Sequence, residues 1–472
     1  MVFSSTIFLC VFLPLVLLLY YAIPGKWSKN IILLVFSLVF YGWGEPRLVV
    51  LMVVSLIMNY LFGILMHHSH LRNKKGRVWL WLAVIFNIGL LFYFKYFTFT
   101  AESIAALTGA DWVIKEIALP VGISFYTFQG MSYVIDVYRE DVNVKPMVQK
   151  NPIKVALYIA MFPQLIAGPI VRYEDVLPYL DKRNHSFEKF AEGVEVFIIG
   201  LSKKVIFANI LGEVATSLME TNAGMIGTAH AWFGAICYSL QIFYDFSGYS
   251  EMAIGLGKMF GFEFMQNFNF PYISRSITEF WRRWHISLSG WFRDYLYIPL
   301  GGNRRGNVYF NLFVVFLATG IWHGAAWGFI IWGLWHGAFM LIERILKKHP
   351  LPVKLPRFIS SPLGWIYSML VVIFGWVLFR IVDLGATFDY IKLMFGIGQP
   401  EYVRYGVMYY LNPRIITVLA AAIICCFPWK NYIRPRGAVF TFFKRVALIA
   451  LLVICFMLIT NSTFNPFIYY QF

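Results

Sequence analysis

Residues 278–337 read TEFWRRWHISLSGWFRDYLYIPLGGNRRGNVYFNLFVVFLATGIWHGAAWGFIIWGLWHG. Three of the nine histidines fall here, at His285, His323 and His336. Arg282, Arg283, Arg293, Asp294, Arg304 and Arg305 accompany them. His323 and His336 stand inside long apolar runs. A histidine in lipid costs free energy unless it faces protein and finds a partner, so intramembrane ionisable groups are functional candidates. The stretch predicts membrane helices gathered around a polar centre.

The rest of the chain agrees. Of 472 residues, 59% are hydrophobic and 14% charged, with a mean hydropathy of +0.66. A soluble domain carries about 25% charged residues. The expectation is an all-α, polytopic membrane protein forming one integral domain over 1–472, with its core motifs in 120–345. The net charge is +16, but the basic residues cluster in short loops between apolar runs. That pattern points to cytoplasm and anionic headgroups rather than to nucleic acid. Cys10, Cys237, Cys425, Cys426 and Cys455 lie in apolar segments without zinc or disulfide spacing, and read as small hydrophobes.

Segment 6–22 lacks a basic leader and a small-residue cleavage site, so it reads as an uncleaved first span. Lys26 and Lys29 follow it, which puts the N-terminus outside and this loop inside. Spans at 30–43, 47–66 and 78–98 come next, flanking a basic inner loop HHSHLRNKKGR (67–77). Loop 99–118, with Glu102, Asp111 and Glu116, suits the outer face. A charged loop with Arg139, Glu140, Asp141, Lys145 and Lys150 follows the apolar segment 119–138. Later segments at 152–170, 188–210, 228–258, 363–383, 413–428 and 446–461 bring the total to roughly 10–12 spans. The basic loops KKHPLPVKLPR (347–357) and 430–445, with Lys430, Arg434, Arg436, Lys444 and Arg445, fall inside, and the C-terminus outside. In MFPQLIAGPIVRYED (161–175), Pro163 and Pro169 cannot sit within an unbroken helix. A broken or re-entrant element is expected there, supporting a central site; a kinked span without function is the plainer account. No internal repeat is visible, so an inverted-repeat transporter architecture has no direct support.

On a continuous helix Arg282 and His285 of WRRWH share a face. A guanidinium beside an imidazole suits phosphate or carboxylate more than a metal. In GIWHG (320–324), flanking glycines let a backbone or ligand approach His323. A neutral imidazole there suits a general base toward a hydroxyl. GLWHG (333–337) repeats the pattern thirteen residues on, and spacing alone does not choose between the two. Helix–helix hydrogen bonding is the plainer role for either. Asp245 and Glu251 sit in an apolar aromatic run, where structural pairing with the central arginines outweighs catalysis. Asn267 and Asn269 of QNFNFPY (266–272) suit the lining of a polar cavity. The three histidines lack the i, i+3 or i, i+4 pairing and the nearby carboxylate of a metal site. No phosphate-binding glycine loop and no GxSxG serine elbow occurs.

At this point FWRRWHISLSGWFRDYLYIPLGGNRRG and GIWHGAAWGFIIWGLWHG resemble the membrane-bound O-acyltransferase superfamily, and more closely its bacterial alginate O-acetyltransferase branch. MFPQLIAGPIVRYED, FYDFSGYSEMAIGLGKMFGF (243–262), NFNFPY (267–272) and TFNPFIYYQF (463–472) extend the likeness to the last residue. The resemblance implies a helical fold with broken elements around a central funnel or tunnel. In it, a cytoplasmic thioester donor, acetyl-CoA or another acyl thioester, meets an acceptor from outside. No tightly bound cofactor and no metal is implied. The family's histidine in its first Trp-His-Gly motif maps onto His323 as the catalytic residue. The upstream His or Asn position maps onto His285, with His336 as the alternative to His323. Arg282 and Arg283, with Arg304 and Arg305, are candidates for donor phosphates, although topology alone explains Arg304 and Arg305 equally. Trp322, Trp327 and Trp335 are candidates to wall the passage, and Asn269 and Asp245 to bind substrate or donor.

The branch implies a bacterial inner-membrane protein that relays acetyl groups to a separate extracytoplasmic SGNH-type acetyltransferase. Acceptors in similar systems include alginate, cellulose and peptidoglycan. The teichoic acid D-alanylation branch shares the WRRWH and WHG motifs but uses a carrier-protein thioester; the terminal NPFIYYQF favours the polysaccharide branch. Two readings of other classes stand beside it. A polymer or lipid-precursor transporter would tolerate loss of the imidazole. An assembly hub would keep its function while its partners still bound, although the polar cluster at 281–305 argues against one.

Overall fold

The computed structural model describes residues 1–472 except 73, 113, 116, 141–146, 167, 222, 350–356, 404, 430–431, 433–436, 462–467 and 469–472. The expectations resting on Glu116, Asp141, Lys145, Lys430, Arg434, Arg436, most of loop 347–357 and most of TFNPFIYYQF lie outside the described residues. Among the described residues there is no strand, and the all-helical class holds.

Among the described residues, five helices are long and apolar enough to cross a membrane: Val49–Leu71, Arg77–Thr108, Trp327–Lys348, Ile359–Arg380 and Ala438–Asn461. Phe8–Ala22, Val308–His323 and Pro413–Cys425 are shorter apolar helices. The other expected spans lie in helices that fall short of that length or apolarity. Ile123–Arg139 shows why: every residue from Ile123 to Val134 is buried, Gln129 included. A helix that faces protein on all sides has no need of a lipid-compatible surface. Ala438–Asn461 is the opposite case, with Cys455 as its one buried residue. Arg77–Thr108 also runs ten residues past the expected end of its span, through a π-turn at Phe92–Tyr96.

The chain divides into two compact units. The first comprises Met1–Phe197 and Tyr249–Met265, the second Ile198–Gly248 and Gln266–Phe472; the long helix Thr228–Met259 contributes to both. In the first unit Asn59 and Asn87 exchange amide hydrogen bonds of 2.8 and 3.3 Å between helices. Such pairs hold helices together where lipid supplies no hydrophobic drive. The expected break in MFPQLIAGP is present. Helix Pro152–Ala160 stops, and Phe162–Leu165 begins with Pro163 in its first turn, where a missing N–H costs nothing. Ser37 Oγ accepts the Phe162 N–H at 3.0 Å.

The second unit is built on a hairpin of Val308–His323 and Trp327–Lys348. A Cβ on Gly333 would lie 2.5 Å from Phe316 O and 2.9 Å from Gly320 Cα, and one on Gly320 would lie 2.5 Å from Phe329 O. The two backbones therefore touch. Arg357–Arg380 packs against the hairpin, where a Cβ on Gly375 would lie 2.6 Å from His336 Nε2. Glu343 then fastens the next layer. Its carboxylate accepts the N–H groups of Ile277 and Thr278 at 2.5 and 2.9 Å and the Thr278 hydroxyl at 2.6 Å, at the start of helix Ile277–Arg283. Ser276 caps the same helix by accepting the Glu279 N–H at 3.0 Å. A carboxylate suits this end because it faces unpaired N–H groups and the positive end of the helix dipole.

Gly333→Ala is expected to cost about 1–3 kcal/mol through overpacking, read as a lower thermal-unfolding midpoint in detergent. Gly290→Ala, where an added methyl meets nothing within 4 Å, is the control expected to leave the midpoint unchanged.

Candidate active site

The helix begun at Ile277 ends at Arg283, and a second runs over Ile286–Phe292. His285 occupies the break at φ 44°, ψ 54°, in the left-handed region. A residue with a Cβ pays about 1–3 kcal/mol to stay there unless its surroundings hold it. The segment 267–269 does so. Asn267 O accepts the Ile286 N–H at 2.9 Å and Arg283 O accepts the Asn269 N–H at 2.9 Å, so the backbone groups freed by the break are paired. This corrects the expectation of one helix through WRRWH: Arg282 and His285 do not share a helical face.

The Asn267 side chain fixes the imidazole. Its Oδ1 accepts from Ser287 N at 3.1 Å and Ser287 Oγ at 2.9 Å, and lies 3.2 Å from His285 Nδ1. An oxygen engaged by donors assigns the proton to Nδ1. His285 Nε2 is then a lone-pair acceptor, fully buried, with no hydrogen-bond partner among the described residues.

The three histidines lie along one aromatic chain within the second unit. The His285 ring is 6.0 Å from Trp322, and Trp322 is 4.9 Å from His323. His323 is 4.8 Å from Trp332, and Trp332 is 5.3 Å from His336. Trp281 closes the end, 5.4 Å from His336 and 5.7 Å from Trp332. Phe246 packs edge-on to His285 at 4.6 Å, and Phe379 to His323 at 5.3 Å. The surroundings are dry: His285 and His336 are 0% exposed and His323 is 2% exposed. The indole nitrogens of Trp281 and Trp332 and both nitrogens of His336 have no hydrogen-bond partner among the described residues. The site thus offers acceptors and donors in a low-dielectric space, where each acts more strongly than in water.

The other anticipated residues scatter. Arg282 is exposed, as are Arg304 and Arg305. Arg283 pairs with Glu279 at 2.9 Å and donates to Asn269 O at 3.1 Å. Asn269 itself is exposed; its neighbour two residues back meets the imidazole. Trp327 is 50% exposed. Trp335 donates to Val371 O at 2.9 Å. Asp245 pairs with Lys204 at 2.6 Å, both almost wholly buried, and accepts the Ile468 N–H at 2.9 Å. Its partner is therefore a lysine outside the central stretch rather than one of that stretch's arginines. Asn267 shares with Asn269 the expectation of lining a cavity; Trp281, Trp332 and Phe379 join the site without having been singled out for it. Trp332 was within reach of the sequence, since it precedes His336 by one helical turn.

Comparison with known proteins gives the family. The profile described as "MBOAT, membrane-bound O-acyltransferase family" matches residues 50–381. A "Probable alginate O-acetylase AlgI" of Azotobacter vinelandii is 39% identical, with all of both chains aligned. A "Peptidoglycan O-acetyltransferase" of Helicobacter pylori is 31% identical over all of this chain and 98% of its own. A "Teichoic acid D-alanyltransferase" of Bacillus subtilis is 30% identical over 48% of this chain and 60% of its own. The chain belongs to the membrane-bound O-acyltransferase family and is a multi-pass membrane O-acyltransferase.

Proposed function

We propose that this protein moves an acetyl group from a cytoplasmic thioester, such as acetyl-CoA, across the inner membrane for O-acetylation of an extracytoplasmic polysaccharide. The acceptor is alginate or a similar polymer, and a separate extracytoplasmic acetyltransferase of the SGNH type completes the transfer. The N- and C-termini lie outside. Full-length similarity to the proteins named for alginate and peptidoglycan O-acetylation supports the reaction class. The observation that carries the mechanism is the His285 imidazole, locked on Asn267 with its Nε2 lone pair left open, one indole away from His323.

His323 takes the proton of the acceptor hydroxyl as general base. The oxygen attacks the thioester carbonyl, the C–S bond breaks as the tetrahedral species collapses, and the leaving thiolate takes the proton from His323. His285 Nε2, an acceptor only, receives a hydrogen bond from a neighbouring hydroxyl of the acceptor and orients it, since the single proton of the reacting hydroxyl goes to His323. The free indole N–H groups of Trp281 and Trp332 are the donors available to a carbonyl oxygen that gains charge, the role of an oxyanion hole. His336 is the alternative base, but the close approach of Gly375 at its Nε2 leaves that nitrogen little room. Arg282 and Arg283, on the outside of the broken helix, are the candidates for donor phosphates, and Trp322 and Trp327 are further candidates for donor binding.

His323→Ala is expected to stay folded and inserted while label transfer from radiolabelled acetyl-CoA falls by about 10²–10⁴; full activity would overturn the assignment. A wild-type protein that consumes a D-alanyl carrier thioester instead would place it with the D-alanyl transferases. Substrate flux without acyl transfer would make it a transporter.

Asn267→Ala leaves the Ser287 and His285 donors without their acceptor, at about 1–3 kcal/mol for the buried groups. The expected signature is a mixed imidazole tautomer by ¹⁵N NMR, together with a fall in kcat larger than any change in KM.

A further inference from the structure

A second cluster lies in the first unit, apart from the histidine chain, where Lys29, Arg183, His185 and Lys189 converge. Lys29 Nζ stands 5.0 and 5.5 Å from the ring centres of Tyr20 and Tyr21. Arg183 stacks 4.8 Å from Phe262 and 5.7 Å from Tyr20, and one of its nitrogens donates to Asn30 Oδ1. Tyr20 donates to Phe260 O at 2.8 Å, so His185 Nε2, 2.9 Å away, is the donor to the Tyr20 oxygen. Beside them a cavity of about 420 Å³ is lined by Tyr21, His185, Ser186, Phe187 and Phe190.

The charges do not balance. Lys189 is paired with Glu263 at 2.9 Å. Of the neighbouring carboxylates, Glu192 pairs with Lys258 and Asp181 with Lys154, while Glu188 is fully exposed at the start of its own helix and bonds Ser186. Lys29 and Arg183 have no carboxylate partner among the described residues. Arg183 Nη1 is buried with no hydrogen-bond partner among them. The His185 imidazole is held below its usual range by burial first, then by Lys29, Arg183 and Lys189. The C-terminal end of helix Thr228–Met259 lies close by, its Met259 O accepting from Tyr21, but a helix end supplies only about half a negative charge. Lysines that merely set topology extend into water. A guanidinium packed between rings with an orphan nitrogen is instead a cost that an anion would offset.

We propose that this cluster binds a phosphate group at the cytoplasmic membrane surface, held by Lys29 and Arg183, with His185 and the aromatic walls of the adjoining cavity around the remainder of the ligand. Phosphate fits because a guanidinium fork and a point-charge ammonium both suit its oxygens. The position follows from the chain: Lys29 opens the helix after the first apolar segment, and Arg183 and His185 lie in the basic turn 182–186. Both segments fall on the inner side by the positive-inside pattern. The phosphate belongs either to an anionic lipid headgroup or to a soluble phosphate ester. The site does not depend on the acyl-transfer reading.

The test uses the full chain in nanodiscs of phosphatidylcholine, with or without phosphatidylglycerol. Native mass spectrometry reads the retained lipid, and calorimetric titration with inorganic pyrophosphate is run in phosphatidylcholine alone. Wild type is expected to bind at least one probe about tenfold more tightly than Arg183→Gln or Lys29→Gln, as the loss of a charge-assisted bond implies. Retention of phosphatidylglycerol alone assigns a headgroup. Pyrophosphate binding without it assigns a soluble ester. Equal retention by wild type and both variants, or no binding of either probe by wild type, overturns the proposal. Lys29→Gln, on a partly exposed residue, keeps the test decisive where Arg183→Gln fails to fold.

Discussion

The second unit depends on a contact between two backbones. Gly320 and Gly333 let the hairpin helices approach until a single added methyl would meet carbonyl oxygen or Cα. In a bilayer, lipid tails are as apolar as leucine, so helices gain from close van der Waals fit and hydrogen bonds rather than from escaping water. The close fit has a chemical consequence. It brings Trp332, from the second helix, between His323 at the end of the first and His336 one turn further along the second. Gly320 of GIWHG and Gly333 of GLWHG thus admit a backbone, one of the two approaches, backbone or ligand, that the sequence left open.

The other half of the site rests on a break. A helix running unbroken from Ile277 to Phe292 would leave His285 no reason to leave the helical region. The chain instead places it at positive φ and compensates with two backbone hydrogen bonds from the 267–269 segment. The same segment supplies Asn267 Oδ1, so a single stretch pairs the freed backbone and sets the imidazole tautomer. A strained backbone that its surroundings over-determine is a common feature of preorganised sites. Here the surroundings are themselves fixed by Glu343, which ties the start of the broken helix to the hairpin. The hairpin, the carboxylate clamp and the break therefore form one mechanical unit.

Much of this was legible. Low charge and long apolar runs gave the class, Pro163 gave the break near residue 161, and the density of histidine, tryptophan and arginine marked the region of the candidate site. The failures have specific physical causes. Asn267 and Asn269 differ by two positions in an irregular segment, and only the fold decides which reaches the imidazole. Nothing in WRRWH signals a left-handed residue, because the strain is set by the segment packed against it. Asp245 found Lys204 rather than an arginine, since burial at both partners selects the neighbour on an adjacent helix over a more exposed guanidinium. Among the described residues fewer helices are long and apolar enough to cross a membrane than the sequence offers as spans, for a related reason: Ile123–Arg139 is buried on nearly all sides, so its sequence need not look like a lipid-facing helix.

Two carboxylates of the second unit and the groups along the histidine chain are treated in opposite ways. The two carboxylates serve the fold and are paired. Lys204 and Asp245 neutralise each other, and Asp245 also accepts a backbone N–H from Ile468; Glu343 collects several donors. Along the histidine chain the pattern reverses. His285 Nε2, the His336 nitrogens and two indole N–H groups stay open among the described residues. Each buried unsatisfied group costs about 1–3 kcal/mol, a large sum beside the small net stability of a folded chain. Open acceptors and donors, gathered in a dry aromatic space, are what a hydroxyl and a thioester carbonyl would satisfy on arrival. The cost borne by the empty site then becomes interaction energy with the reacting groups, which is where an acyltransferase needs it.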